Sequence, residues 1–172
     1  MSKKYFVELR SLKNFPHNEQ FAVSDEFFDD EKPDIDGGNL RVDVEVRKLG
    51  EGYSIDIHVE GTVKVACDRC LGELDMPVEA DMQLRAKDDD GLDYDDEDMV
   101  LMSPSDTGVD IEWNIYEMAE LALPVQRVHE EGECDEQMTK VLDVYASGKQ
   151  QVEAVKTMDP RWEGLKALLN TK

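Results

Sequence analysis

The chain has 172 residues, with 41 Asp and Glu against 19 Lys and Arg, a formal net charge of -22 and 40% hydrophobic residues. This length is about one domain, and the apolar residues are spread along it, so a core is expected and a wholly disordered acidic tail is excluded. No apolar run approaches the ~20 residues of a spanning helix, and no apolar stretch follows Met1-Ser2-Lys3-Lys4-Tyr5, so neither a membrane span nor a secretory signal is expected.

In chain order, Tyr5 to Arg10 and Gln20 to Val23 are candidate strands, separated by a loop that includes His17. Asp25-Glu26-Phe27-Phe28 reads as a short turn or helical segment. From Leu40 to Arg47 every even residue is apolar and every odd one charged, the period of a strand with one wet face. Lys48 to Gly52 supplies a turn. The next strand places Tyr53, Ile55, Ile57, Val59, Val63 and Val65 on one face, with Gly61 in phase as a bulge or a close approach. His58 falls on the polar face. After Cys67-Asp68-Arg69-Cys70, alternation resumes at Leu74, Met76, Val78, Ala80, Met82 and Leu84. Three such strands joined by short turns make an antiparallel meander.

Downstream the period becomes helical. Ile111, Ile115, Met118, Ala119 and Ala122 share one face, with Asp110 as N-cap and Pro124 as terminator. Residues 137–157 are ambiguous. Asp159 and Pro160 open a final helix whose apolar face is Trp162, Leu165, Leu168 and Leu169. The expected fold is α+β: an antiparallel β-meander sheet with two or three packed helices, curling or barrel closure being left open. One domain over residues 1–172 is expected, with a mobile acidic loop at about 87–107.

The charge is uneven. Residues 88–112 hold eleven acids and no base, while 1–24 and 137–172 are each net +2. The densest run contains Asp88, Asp89, Asp90, Asp93, Tyr94, Asp95, Asp96, Glu97 and Asp98. Like charges this close favour a solvated loop, which serves either solubility or the steering of a basic partner. Its spacing does not fit a calcium loop with a distal Glu.

Three cysteines, an odd number, suit a reducing cytoplasm better than a disulfide scaffold. Cys67 and Cys70, as C-x-x-C in a turn, are able to converge on one metal ion, and zinc favours such ligands; His129 and Cys134 are the candidates to complete four. Two other readings stand beside this one: buried thiols without metal, and a redox pair. The redox pair suits a helix N-terminus better than a turn between antiparallel strands. No phosphate-cradling loop, nucleophile elbow or paired-histidine zinc helix is present, so a binding protein is favoured over an enzyme.

Taken together, the alternating strand ending in Val65-Ala66-Cys67-Asp68-Arg69-Cys70-Leu71, the later Leu123-Pro124-Val125, His129 and Cys134, and the closing Asp159-Pro160-Arg161-Trp162 resemble the YceD-like family of large ribosomal RNA subunit accumulation proteins. Asp25-Glu26-Phe27-Phe28 and the acidic insert fit the same order. The resemblance implies a non-enzymatic role in large-subunit assembly or rRNA accumulation. It also implies more cysteines near the second ligand position, where Cys134 stands here with His129 as a substitute.

An acidic chain is repelled by RNA, so a basic ribosomal protein or assembly factor is the expected partner, with rRNA contacted indirectly or weakly. Two alternatives are carried. One is direct rRNA binding through Lys3, Lys4, Arg10 and Lys13 at one end and Lys140, Lys149, Lys156, Arg161, Lys166 and Lys172 at the other. The other is a metal-dependent hydrolase or nuclease at Cys67, Cys70, His129 and Cys134, which requires an open coordination position and a general base.

Overall fold

The computed structural model describes residues 4–28, 32, 34–89 and 98–146. The chain divides into two compact units, Met1–Cys134 and Asp135–Lys172. The first contains β1 (Phe6–Glu8), β2 (His17–Val23), a 3-10 turn (Asp25–Phe27), β3 (Gly37–Leu49), β4 (Gly52–Ala66), β5 (Glu73–Asp88), β6 (Met99–Met102), β7 (Gly108–Asp110) and α1 (Glu112–Leu121). The second contains α2 (Glu136–Ala146), opened by the Asp135 side chain, which accepts from the Met138 N–H at 2.8 Å.

The strands assemble where alternation puts them. A five-stranded sheet runs in the order β2-β3-β4-β5-β6, antiparallel except for the parallel pair β5–β6. β1 and β7 form a separate two-stranded sheet. The long sheet is open, with β2 and β6 as its edges among the described residues, so it is no closed barrel. β3 and β4 join through a two-residue turn at Gly50-Glu51, where Gly50 has φ 60° and spares a side chain that strain.

One face of this sheet is the core. Val42, Val44, Val46, Ile55, Ile57, Val59, Val63, Val65 and Leu84 are buried there, clustered with Val7 and Leu9 of the N-terminal segment and with Ile111, Ile115, Met118 and Ala119 of the α1 face. Each apolar side chain taken out of water at these positions contributes about 1.5–3 kcal/mol before entropy is counted. Gly61 marks a close approach and not a bulge. The β3–β4 register passes unbroken through Leu40↔Gly61, and a Cβ there would sit 2.2 Å from the Asn39 carbonyl oxygen.

The opposite face is wet and charged. Arg41 pairs with Glu60 at 2.7 Å, Arg47 with Asp56 at 3.3 Å, and His58 with Asp81 at 2.8 Å. Glu19, Asp43, Glu45, Asp56 and Asp81 line an open hollow of about 950 Å³ on this side, with Arg47 and His58.

Several expectations shift. His17 begins β2, paired with Val46, and is not in a loop. The α1 N-cap is Ile111, one residue beyond Asp110, although the Asp110 side chain still accepts the Glu112 N–H at 3.1 Å. α1 ends at Leu121, ahead of Pro124. Of the stretch expected as an acidic loop at about 87–107, residues 87 and 88 finish β5 and 99–102 form β6. Asp88, Asp89 and Asp98 are described, and the Asp88 carboxylate takes an ion pair from Arg10 at 2.7 Å. Asp90, Asp93, Tyr94, Asp95, Asp96 and Glu97, and the helix expected at 160–169, lie outside the described residues. Among the described residues no helix is long and apolar enough to cross a membrane.

Candidate metal centre

At the end of β4 the chain turns through Asp68-Arg69-Cys70-Leu71 before β5 returns antiparallel. Two backbone bonds close this turn: the Cys67 N–H donates to the Gly72 carbonyl at 2.8 Å, and the Leu71 N–H to the Cys67 carbonyl at 2.9 Å. Leu71 adopts φ 59°, a left-handed conformation uncommon for a non-glycine residue, and its side chain is exposed. The result aims two buried thiols, Cys67 and Cys70, to the same side.

The second pair comes from far along the chain. Beyond α1, residues 122–134 run without regular structure apart from a turn near Glu131. They reach the β4–β5 turn through Asp68 and Arg127. The Asp68 N–H donates to the Arg127 carbonyl at 2.7 Å, and the Arg127 N–H donates to Asp68 Oδ2 at 2.7 Å. Two residues later His129 enters the cluster, followed by Cys134 after a turn at Gly132 with φ 94°.

The ligand atoms of Cys67, Cys70, His129 and Cys134 all lie within 4.8 Å of one another. Cys67 Sγ is 3.9 Å from Cys134 Sγ, Cys70 Sγ 3.4 Å from His129 Nδ1, and Cys134 Sγ 3.9 Å from His129 Nδ1. Zinc–sulfur bonds of about 2.3 Å place the corners of a tetrahedron about 3.8 Å apart, and these three separations lie close to that value. The histidine is also oriented for this purpose. Its Nε2 donates to the Glu73 carbonyl at 3.0 Å, which fixes the tautomer and leaves Nδ1 facing the three sulfurs. Among the described residues this is the one group of three or more His, Cys, Asp or Glu ligand atoms gathered this closely.

The electrostatics agree with a thiolate site. Burial pushes the Cys67 thiol up, but N–H donors from Cys70, His129 and Arg69 outweigh it and bring the thiol down to about 6. The His129 imidazole is raised above its ordinary value, chiefly by its hydrogen bond to Cys67. Cys134 is pushed up, first by burial and then by the neighbouring sulfurs. The same N–H groups that favour a thiolate on Cys67 favour a metal–sulfur bond, since both place negative charge on sulfur.

Of the residues expected at the site, the four ligands are brought together. Of the acidic run, the described Asp88, Asp89 and Asp98 are not among the clustered residues, and His58 sits on the wet face of the sheet with Asp81. Sequence reasoning did not single out Asp68, Arg127 or the Glu73 carbonyl. Asp68 lies inside the C-x-x-C turn and carried a signal by position alone; the backbone carbonyl carried none.

A family model described as large ribosomal RNA subunit accumulation protein YceD matches residues 55–169, more than half of the chain. Comparisons with curated proteins and with solved structures give no match. The chain belongs to the YceD family.

Proposed function

We propose that this YceD-family chain is a non-enzymatic accessory factor for large ribosomal subunit assembly, acting through a basic protein partner and built around a structural zinc ion. The family description supports the link to large-subunit rRNA accumulation. The observation that carries the partner is the charge: eleven acids and no base in residues 88–112, within a chain of net charge -22. Such a run of negative charge repels phosphate and speeds encounter with the cationic proteins that must reach rRNA during assembly. The acids around the sheet hollow extend this field beyond the run itself.

The zinc reading rests on the donor set. Three sulfurs and one oriented imidazole nitrogen supply four donors from the protein alone, the number a tetrahedral zinc ion takes. A closed set of this kind leaves no position for an activated water, and therefore favours a structural ion over a hydrolase or nuclease centre. The ion would tie the β4–β5 turn to the segment following α1 by Cys67, Cys70, His129 and Cys134.

Affinity purification of the full chain from lysate, at low and at high salt and with and without ribonuclease, tests the partner. Basic large-subunit proteins or assembly factors are expected at low salt, surviving ribonuclease and falling away as salt screens the contact. Recovery that vanishes with ribonuclease makes rRNA the direct ligand instead. Recovery of no ribosomal component at low salt overturns the assignment. Metal analysis of the purified chain is expected to find one zinc per chain.

A further inference from the structure

The ligand cluster joins two pairs of residues about sixty positions apart, and something other than the ion must bring them into register if the site is to exist before metal arrives. Closing so long a loop costs entropy that the metal bonds would otherwise have to offset. The contacts between Asp68 and Arg127 lie at the right place. Asp68 follows Cys67 directly, and Arg127 is two residues ahead of His129. Between them run two 2.7 Å backbone-involving hydrogen bonds, one in each direction, and an ion pair of 3.6 Å from Arg127 Nη2 to Asp68 Oδ1.

We propose that Asp68 is a positioning residue for the metal centre, its carboxylate holding the Arg127 backbone so that His129 and Cys134 are delivered to the Cys67–Cys70 turn. The inference rests on the zinc reading above. Asp68 is not one of the four clustered residues; it acts through the backbone of the incoming segment. The carboxylate accepts the Arg127 N–H, which otherwise would have only water as a partner, and the bond fixes the chain direction two residues before the imidazole. The Glu73 carbonyl then sets the ring, as its bond to Nε2 requires. The two contacts have separate roles, with Asp68 placing the segment and Glu73 orienting the histidine.

The geometry also separates position from charge. Asn at position 68 retains a carbonyl oxygen able to accept the Arg127 N–H and loses only the negative charge, whereas Ala loses the acceptor. Arg127→Ala keeps both backbone-involving bonds and removes only the 3.6 Å ion pair, which is partly solvated and contributes little.

The test is competition of the purified full-length chain with a chelator for zinc, paralleled by cobalt(II) titration read from its thiolate absorption. Asp68→Ala is expected to weaken zinc binding by about 10–100-fold, the range for outer partners of metal ligands, with the stoichiometry of one ion kept. Asp68→Asn and Arg127→Ala are expected to stay within about threefold of the parent, the loss of a single exposed charge contact. Far-UV circular dichroism of each variant establishes that the sheet is intact. Equal affinity of Asp68→Ala and the parent overturns the positioning role while leaving the zinc centre standing. Equal losses in Asp68→Asn and Asp68→Ala also overturn it, because charge alone is then responsible. Failure of the parent chain to bind zinc or cobalt sinks the metal reading itself, and the inference with it.

Discussion

The β3–β4–β5 sheet and the segment 122–134 are held by different physics. In the sheet, each strand sets alternate residues into one core, and Val42, Val46, Ile55, Val63 and Val65 are wholly out of water. In the segment no residue is fully buried, and Val125 is 99% exposed. Ala122 and Leu123 pack partly against the core where the segment begins, and beyond them its path is set by a handful of polar contacts: the Asp68–Arg127 pair, the His129–Glu73 bond and the ligand cluster. Apolar burial is cooperative and tolerant of single losses. A coordination site concentrates its contribution in four atoms and is lost when any one is lost. The two regions therefore should respond to different perturbations.

Removing the proposed zinc ion is the perturbation with the largest expected effect. Chelation, or Cys70→Ser, is expected to bring amide exchange across 129–134 close to that of an open chain, with the Arg127 N–H held by Asp68 and β3–β5 still protected. Hydrogen exchange followed by mass spectrometry reads both regions in one experiment. Loss of protection in β3–β5 on chelation would break the comparison, since it would make the ion part of the global fold.

The converse perturbation acts on the core. Ile55→Ala leaves a cavity between Val46 of β3 and Leu84 of β5, its cross-strand partners, and is expected to cost about 2–5 kcal/mol in urea unfolding. Zinc stoichiometry is expected to remain at one per folded chain, because no ligand lies on that stretch of β4. A variant that unfolds at lower urea but also fails to hold zinc while folded would show that the core and the site are coupled.

The same division explains what was legible in the sequence. The meander showed because burial on one face of a strand imposes a period of two, and that period is written in consecutive residues such as Leu40 to Arg47. The parallel pairing of β6 with β5 left no such trace, since four residues, Met99 to Met102, are too few to show a period. The site was half legible. Cys67 and Cys70 announced themselves by spacing, and His129 and Cys134 by being the remaining soft ligands near one another. Asp68, Arg127 and the Glu73 carbonyl act through hydrogen bonds between residues more than fifty apart, or through the backbone, and neither leaves a local pattern. Asp110 illustrates a finer limit: it does accept a helix N–H, but one position earlier than a cap requires.

The smallest expected effect belongs to the wet face of the sheet and sharpens the contrast from a third side. His58 Nδ1 lies 2.8 Å from Asp81 Oδ1, and Nε2 lies 3.6 Å from Glu60 Oε2, so both ring nitrogens face carboxylates. The hydrogen bond to Asp81 raises the imidazole above its ordinary value, and partial burial opposes this without cancelling it. A raised folded-state value means that the stabilisation is fully present below the unfolded value of about 6.5 and disappears as pH rises through the folded value. Exposure of the pair to solvent limits the effect to about 1 kcal/mol or less. Measured as the difference between the parent and His58→Gln in urea unfolding, the parent's advantage is expected to be greatest at pH 6 and to vanish by pH 9. Subtracting the variant cancels the many other acids of the chain. Because His58 is anchored by the sheet and not by the proposed ion, the same pH dependence is expected in the chelated protein. An advantage that grows with pH would mean that the imidazole is held neutral in the fold. One that disappears on chelation would mean that the ligand cluster reaches the far strands after all.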